Sequence, residues 1–267
     1  MIRKLTEQDR EAVLAFLYEE PEINLYIIGD VKNFGFNASE QSIYGEFREG
    51  EYFAVMSQNH SQLTYYAKAN GFNLDWLAVF NQFDYLFISG KRSIMEELNK
   101  HLPHMRPDRL EFMKSTVFEK DLDVDDEGIE ILENKKDAED VYVLLNQIEE
   151  LESVRMKSKE EFLHYLLDHR DDNGTTVFIR ENNEVIASAS AVGETRKTAM
   201  IVGVATHPNH RQRGLGYKVL HYLVDLYVNH KHKTLCLYYD DPRAGALYEK
   251  MGFVKIDDWI MLLKDDE

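Results

Sequence analysis

Cysteine is almost missing from this 267-residue sequence, in which Cys236 is the one example. A single cysteine cannot form a disulfide within the chain, and it cannot supply a zinc site built on cysteines. Cys236 lies in an apolar run at 234–239. We therefore expect it to be a buried structural thiol.

Long hydrophobic runs are also missing. No stretch of the sequence is long enough to span a bilayer, and residues 1–7 lack the apolar segment of a signal peptide. We expect a cytoplasmic protein that has no membrane partner.

Positive charge is scarce, because 31 Lys and Arg face 48 Asp and Glu and the net charge is −17. Such a chain repels polyanions, so nucleic acid and anionic membranes are poor partners, whereas an amine or another cationic substrate is favoured. The ten histidines show no metal-binding spacing such as His-Glu-x-x-His. We expect no metal.

A dense acidic stretch divides the sequence. It contains Asp121, Asp123, Asp125, Asp126 and Glu127. A calcium loop of the EF-hand type is excluded, because the spacing of the oxygen ligands is wrong and the closing glutamate is missing. We interpret residues 121–128 as a solvated linker between a first domain at 1–120 and a second domain at 129–267.

Hydrophobic periodicity predicts a mixed α/β structure on both sides of this linker. The second segment follows the order β-α-α-β-β-β-α-β-α-β, and the first segment has a similar order of strands and helices. Capping boxes mark two helix starts, one at Thr6 and Asp9 and one at Ser158 and Glu161.

The most informative stretch combines a strand, a loop and a helix. An apolar β-prone run at 201–206 precedes a basic loop with Arg211 and Arg213, and a helical apolar pattern follows. Gly214 and Gly216 allow close approach of a ligand to the backbone, and the helix N-terminus offers N–H groups to an anion. The combination suits a pyrophosphate. An ordinary strand-to-helix turn with solvated arginines has the same local pattern.

Two common phosphate-binding motifs are excluded. Val219 stands where the Rossmann fingerprint requires its third glycine, and the Gly-Lys-Ser/Thr ending of a P-loop is missing. The stretch resembles the cofactor loop of the GCN5-related N-acetyltransferases (the GNAT superfamily), whose motif is Gln/Arg-x-x-Gly-x-Gly/Ala after a strand and a proline. Pro208, Arg211, Gly214 and Gly216 match this motif.

A second motif follows at the right separation. The segment 240–253 resembles the GNAT element Asn-x-x-Ala-x-x-Leu-Tyr-x-x-x-Gly-Phe, with matches at Ala244, Leu247, Tyr248, Gly252 and Phe253. The resemblance covers roughly 129–263 and implies a GNAT-like acyl-CoA fold with a mixed sheet. The first segment lacks the loop. It is either a degenerate copy, which would give two tandem GNAT-like domains, or an unrelated α/β lid.

The resemblance implies a set of cofactor-binding residues. Backbone groups of Val204 and Thr206 would contact the pantetheine arm. Asp241 stands where the family has an asparagine that helps to hold this arm, and an ionised aspartate accepts hydrogen bonds but donates none. The pyrophosphate would lie against the backbone of Arg211, Gln212, Arg213, Gly214, Leu215, Gly216 and Tyr217.

The resemblance also implies catalytic residues. Tyr248 matches the tyrosine that protonates the leaving thiolate, and a phenol with a pKa near 10 stays protonated for this task at neutral pH. A buried structural tyrosine is the alternative. The strands at 198–206 and 234–239 carry no carboxylate, so Glu194 is the nearest candidate for the general base. The alternative is that Glu194 is a solvated turn residue. Removal of the amine proton through ordered water is equally open.

These features predict an N-acetyltransferase in which a primary amine directly attacks the thioester of acetyl-CoA. Two alternatives are a non-catalytic acyl-CoA-binding or sensing module and a structural two-domain interaction protein. The sequence does not identify the amine acceptor, and it is compatible with a homodimer.

Overall fold

The computed structural model of the chain describes residues 1–38, 41–149, 151, 158–168 and 174–264. These residues form two compact units. The first unit contains Met1–Phe112, Tyr238–Asp240 and Lys255–Glu267, and the second contains Met113–Leu237 and Asp241–Val254. The sequence division at 121–128 differs from this one, because the units separate at Phe112 and because the last strand belongs to the first unit.

The elements follow one another in an order close to the predicted one. The strands are β1 (Ile2–Lys4), β2 (Gln41–Arg48), β3 (Glu51–Asn59), β4 (Gln62–Ala67), β5 (Phe87–Lys91), β6 (Met105–Ser115), β7 (Ile129–Ile131), β8 (Thr175–Glu181), β9 (Glu184–Val192), β10 (Thr198–Thr206), β11 (Thr234–Tyr239) and β12 (Val254–Lys264). The α-helices are α1 (Arg10–Leu17), α2 (Leu25–Asn33), α3 (Asp75–Phe80), α4 (Arg92–Asn99), α5 (Lys135–Leu145), α6 (Lys159–Asp168), α7 (Leu215–Val224) and α8 (Pro242–Lys250).

The first unit is built on a mixed sheet with the strand order β1-β2-β3-β4-β5-β12-β6. Neighbouring strands from β1 to β4 are antiparallel, whereas β4 and β5 run parallel. The core on this sheet is rich in aromatic side chains, and the rings of Trp76 and Phe80 both pack against the ring of Tyr65. Aromatic rings bury large areas, so this cluster supplies much of the hydrophobic stabilisation of the unit.

The predicted capping boxes are both present. The carboxylate of Asp9 accepts the backbone N–H of Thr6 at 2.9 Å, ahead of α1. Hydrogen bonds from the guanidinium of Arg3 hold the pKa of Asp9 down at about 2. Ser158 and Glu161 make the reciprocal pair of bonds ahead of α6. These bonds satisfy amide groups that a helix start leaves without partners.

The second unit carries the strand order β11-β10-β9-β8-β7. All neighbouring strands are antiparallel except β10 and β11. Buried side chains of α5 and α6 pack with residues of β8, β9 and β10 in one hydrophobic cluster. No α-helix in the described residues is long and apolar enough to cross a membrane.

The acidic stretch is anchored within the second unit. The backbone N–H of Asp121 donates to Nε2 of His221 at 3.1 Å, and the ammonium of Lys218 contacts the carboxylate of Asp125 at 2.5 Å. Burial lowers the pKa of His221, which keeps the ring neutral and able to accept this bond. The stretch predicted as a solvated linker is therefore attached to α7.

Candidate functional site

The parallel strands β10 and β11 stay paired over only three positions. Thr198 pairs with Thr234, Ala199 with Leu235 and Met200 with Cys236. Beyond these positions β10 continues for six residues to Thr206. Val202, Gly203, Val204 and Thr206 are half-buried, whereas the paired part of the strand is buried. The far half of β10 therefore presents an edge whose backbone groups are available to a ligand.

A β-bulge lies in this far half. On the other edge of β10, Val202 pairs with Ser190 and Ala205 pairs with Ser188, so two residues of β10 face one residue of β9. Gly203 occupies the bulge with a φ of +62°. A residue with a side chain would be strained at this φ, which explains a glycine inside a strand. Sequence reasoning missed Gly203, although a glycine in a strand interior indicates a bulge.

The loop after β10 has an unusual backbone. Gln212 and Gly214 both have a left-handed conformation, with φ of +64° and +76°. Such alternation turns successive N–H groups toward one side and forms a concave anion site. A non-glycine residue with positive φ is uncommon, and strain of this kind concentrates at functional sites. A Cβ built on Gly214 would meet no atom within 4 Å, so the space above this residue is open.

The N-terminus of α7 faces the same space. Gly214 is the N-cap and provides no side-chain cap, so the first N–H groups of α7 are available to an anion. Close packing accounts for the glycine at position 216, because a Cβ built on Gly216 would come within 2.9 Å of the hydroxyl of Thr206. Thr206, at the end of β10, therefore sets how closely the strand and the helix approach each other.

The two arginines of the loop differ in their surroundings. Nη1 and Nη2 of Arg213 contact the carboxylate of Glu181 at 2.9 and 3.1 Å. This pair neutralises the charge of Arg213 and lowers the pKa of Glu181. Nε of Arg211 donates to the carbonyl oxygen of Thr206 at 3.4 Å. The guanidinium of Arg213 is thus engaged in an ion pair with Glu181.

Asp241 serves as the N-cap of α8. Its carboxylate accepts the backbone N–H of Arg243 at 2.9 Å and also contacts the guanidinium of the same residue. These bonds from Arg243 lower the pKa of Asp241, so the carboxylate stays ionised at neutral pH. The residue that replaces the family's asparagine therefore has a structural role at the helix start.

Tyr248 lies on α8 and is 7% exposed. Its ring packs against the ring of Phe253, with centroids 6.0 Å apart, and its carbonyl accepts the N–H of Phe253 at 3.0 Å. The helix and the turn after it are thus fixed together.

The structure does not favour Glu194 as a general base. Its carboxylate accepts bonds from Lys231 at 2.8 Å, from Lys233 at 2.5 Å and from the hydroxyl of Tyr227 at 2.9 Å. Burial alone would raise the pKa of Glu194, but these three donors outweigh it and lower the pKa. A lowered pKa makes a poor proton acceptor.

Glu194 also lies far from the half of β10 that is not paired with β11. It precedes the start of β10 at Thr198, whereas Val204 is six residues farther on. At about 3.3 Å per strand residue, the start of β10, next to Glu194, is roughly 20 Å from Val204. Sequence reasoning could not detect the pairing with Lys231 and Lys233, because these lysines lie almost forty positions away.

Among the described side chains, no group of three or more His, Cys, Asp or Glu could hold a metal ion.

Residues 138–253 match the family model described as acetyltransferase (GNAT) family. No curated protein sequence matches the chain.

Three solved structures illustrate the structural likeness. A Drosophila protein has a TM-score of 0.72 at 12% identity, and the match covers 99% of each chain. A GCN5-related N-acetyltransferase from Sphaerobacter thermophilus has a TM-score of 0.66 at 16% identity, covering 98% of this chain and 94% of that chain. A tandem GNAT protein from the clavulanic acid biosynthesis pathway has a TM-score of 0.59 at 12% identity, covering 100% and 99%.

At these identities, the structural likeness shows the fold alone. The predicted fold class is confirmed: the chain has a mixed α/β fold that is consistent with two GNAT-like domains.

Proposed function

We propose that this chain, in which residues 138–253 form a GNAT domain, transfers an acetyl group from acetyl-CoA to a primary amine. The observation that carries this proposal is the far half of β10, where pairing with β11 has ended and a bulge at Gly203 faces β9 on the opposite edge. This half of the strand leads into a loop with open space above Gly214. This arrangement offers backbone groups to an extended thioester arm and N–H groups to a pyrophosphate.

The residues have distinct roles in the proposal. Backbone groups of Val204 and Thr206 bind the pantetheine arm, and the N–H of Val204 polarises the thioester carbonyl. The loop and the first turn of α7 bind the pyrophosphate through Arg211, Gln212, Arg213, Gly214, Leu215, Gly216 and Tyr217. Asp241 holds the start of α8, which carries Tyr248.

Two proton transfers accompany the reaction. A neutral amine attacks the thioester carbonyl, the C–N bond forms, the C–S bond breaks, and the amine nitrogen loses a proton. Tyr248 donates a proton to the departing thiolate. We assign removal of the amine proton to water, because Glu194 is bound by three donors.

The experiment incubates the protein with acetyl-CoA and a panel of amines that covers amino acids, polyamines, aminoglycosides and peptide N-termini. Release of CoA is followed with a thiol reagent, and the acetylated amine is identified by mass spectrometry. We expect turnover with at least one amine class. Binding of CoA without turnover across the panel contradicts an enzymatic role.

A second candidate is a non-catalytic acyl-CoA-binding or sensing module. It is favoured by the engagement of Glu194 in ion pairs and by the absence of carboxylates from the sequence of β10 and β11. Calorimetry with acetyl-CoA distinguishes this module from a purely structural protein, because only the module binds the ligand.

A further inference from the structure

A buried hydroxyl lies behind the bulge of β10. Ser188 of β9 is 0% exposed, and its Oγ donates to the carbonyl oxygen of Gly203 at 3.3 Å. A hydroxyl in a sheet interior costs free energy unless it is hydrogen-bonded. A bulge in turn leaves backbone groups without partners in the ladder. The contact between Ser188 and Gly203 satisfies both needs.

This bond fixes the orientation of one peptide group. The carbonyl of Gly203 and the N–H of Val204 belong to the same planar trans peptide and point in opposite directions. Because Ser188 holds the carbonyl toward β9, the N–H of Val204 points away from β9. On the opposite edge of β10, pairing with β11 has ended after Met200.

We infer that Ser188 is a positioning residue, whose hydroxyl aims the N–H of Val204 at the carbonyl of the bound thioester. The inference rests on the proposed function and names a side chain outside the motifs that led to it. Ser188 acts through the backbone and touches no reacting atom. The effect of Ser188 is therefore specific to ligands with an acyl carbonyl, because CoA has no thioester oxygen that could accept the N–H of Val204.

The test compares acetyl-CoA with CoA in Ser188→Ala. The affinity of each ligand is measured by calorimetry, and the ratio of the two affinities is the readout. One net hydrogen bond corresponds to about fivefold in affinity, so we expect this ratio to fall by about fivefold. The rate of acetyl-CoA hydrolysis should fall by about tenfold, since a displaced donor stabilises the oxyanion less well.

Ser190→Ala is the matched control. Ser190 lies two residues farther along β9, is 2% exposed, and its hydroxyl is paired at 2.8 Å with that of Thr176. Loss of this hydroxyl removes a buried hydrogen bond of similar kind but leaves the bond to Gly203 in place. We expect the affinity ratio of Ser190→Ala to equal that of the wild type. Thermal unfolding of both variants checks that each is folded.

The outcomes separate the inference from the proposed function. A lowered ratio in Ser188→Ala alone supports the positioning role. An unchanged ratio in Ser188→Ala, or an equal fall in both variants, overturns the inference and leaves the proposed function standing. A wild-type chain that binds neither ligand overturns the proposed function and the inference with it.

Discussion

The two units share one framework and differ at the point where a ligand would bind. Each has a parallel pair of strands with three aligned positions, β4 with β5 in the first unit and β10 with β11 in the second. In each, the first strand of the pair continues past the aligned positions and leads to a helix. The same chain topology therefore surrounds two different local structures.

The strands behave differently beyond the aligned positions. In the first unit, β3 and β4 pair without interruption from Ala54–Ala67 to Asn59–Gln62, whereas β10 contains the bulge. Gly90 of β5 lies directly against the carbonyl of Tyr65, so a Cβ there would collide with it. The edge that is available on β10 is thus closed on β4.

The loops differ as well. In the first unit, the carboxylate of Glu97 accepts the N–H groups of Gly71 at 3.0 Å and of Phe72 at 3.1 Å. An internal carboxylate thereby occupies N–H groups in a loop whose counterpart, around Gly214, is open. Under the proposed function, the comparison teaches that the framework alone does not make a cofactor site. A bulge and a loop with available N–H groups are needed in addition.

The broadest prediction concerns the number of sites. We expect titration with CoA to give one equivalent per chain, bound by the second unit, because Glu97 closes the loop of the first unit. Isothermal titration calorimetry measures this number directly. Two equivalent sites per chain would show that the difference between the units has no functional meaning.

Tyr248→Phe should give the largest change in rate. The seventh residue of α8 is Tyr248, whereas the seventh residue of α4 is Leu98, so only the second unit offers a phenol at this place. The variant keeps the ring and loses the proton donor. We expect kcat to fall by roughly ten- to a thousandfold with little change in CoA affinity or thermal stability.

Tyr65→Phe provides the control for this measurement. Tyr65 is buried in the first unit, and its hydroxyl has no hydrogen-bond partner in the described structure. The control should turn over at the wild-type rate. If Tyr248→Phe does so too, under conditions where chemistry limits the rate, Tyr248 is a core residue.

Gly214→Val should weaken CoA binding by about tenfold or more, because the side chain would fill the space that the pyrophosphate needs. Gly128→Val is a close control. Both glycines have φ of +76° and no atom within 4 Å of a built Cβ, so the backbone strain is matched. Calorimetry should show a loss of affinity at Gly214 only. An equal loss in both variants would indicate strain in place of a blocked site.

The smallest effect is expected for Glu97→Gln in the first unit. The hydrogen bond from the N–H of Gly71 is the main cause of the lowered pKa of Glu97. The ionised carboxylate therefore stabilises the fold at pH values above the ordinary glutamate pKa. This stabilisation is lost as the pH falls through the lowered pKa of Glu97 in the folded protein. We expect the free energy of unfolding to drop by about 1 kcal/mol at neutral pH. The difference from the wild type should shrink in acid.

Tryptophan fluorescence during urea unfolding suits this measurement, because Trp76 and Trp259 are the two tryptophans and both belong to the first unit. Glu96→Gln removes an exposed carboxylate that pairs with Arg92, and such pairs contribute little. Equal losses in the Glu96 and Glu97 variants would contradict the role given to Glu97.

The sequence predicted the parts of the site that are local. The strand, the glycine loop and the start of α7 are neighbours along the chain, so spacing alone revealed them. The roles of Ser188 and Glu97 depend on contacts with residues fifteen or more positions away. No local pattern carries such information, and the ion pairs of Glu194 were missed for the same reason.

Two elements of the first unit were also missed. The strand β2 contains Gly45 and polar residues, and it is held by its neighbours, since a Cβ built on Gly45 would come within 2.9 Å of Leu5. The six-residue helix α3 is too short to show a clear period. In both cases, packing decides a structure that local preference leaves open.

The position of β12 has a consequence for the order in which the protein can fold. Leu262 of β12 is aligned with Ile88 of β5, although the whole second unit separates them in the sequence. During synthesis on the ribosome, the first 112 residues emerge well before the strand that lies between β5 and β6. The usual order, in which the N-terminal domain is finished first, therefore cannot apply. The unit that starts first must wait for the other before its sheet is complete.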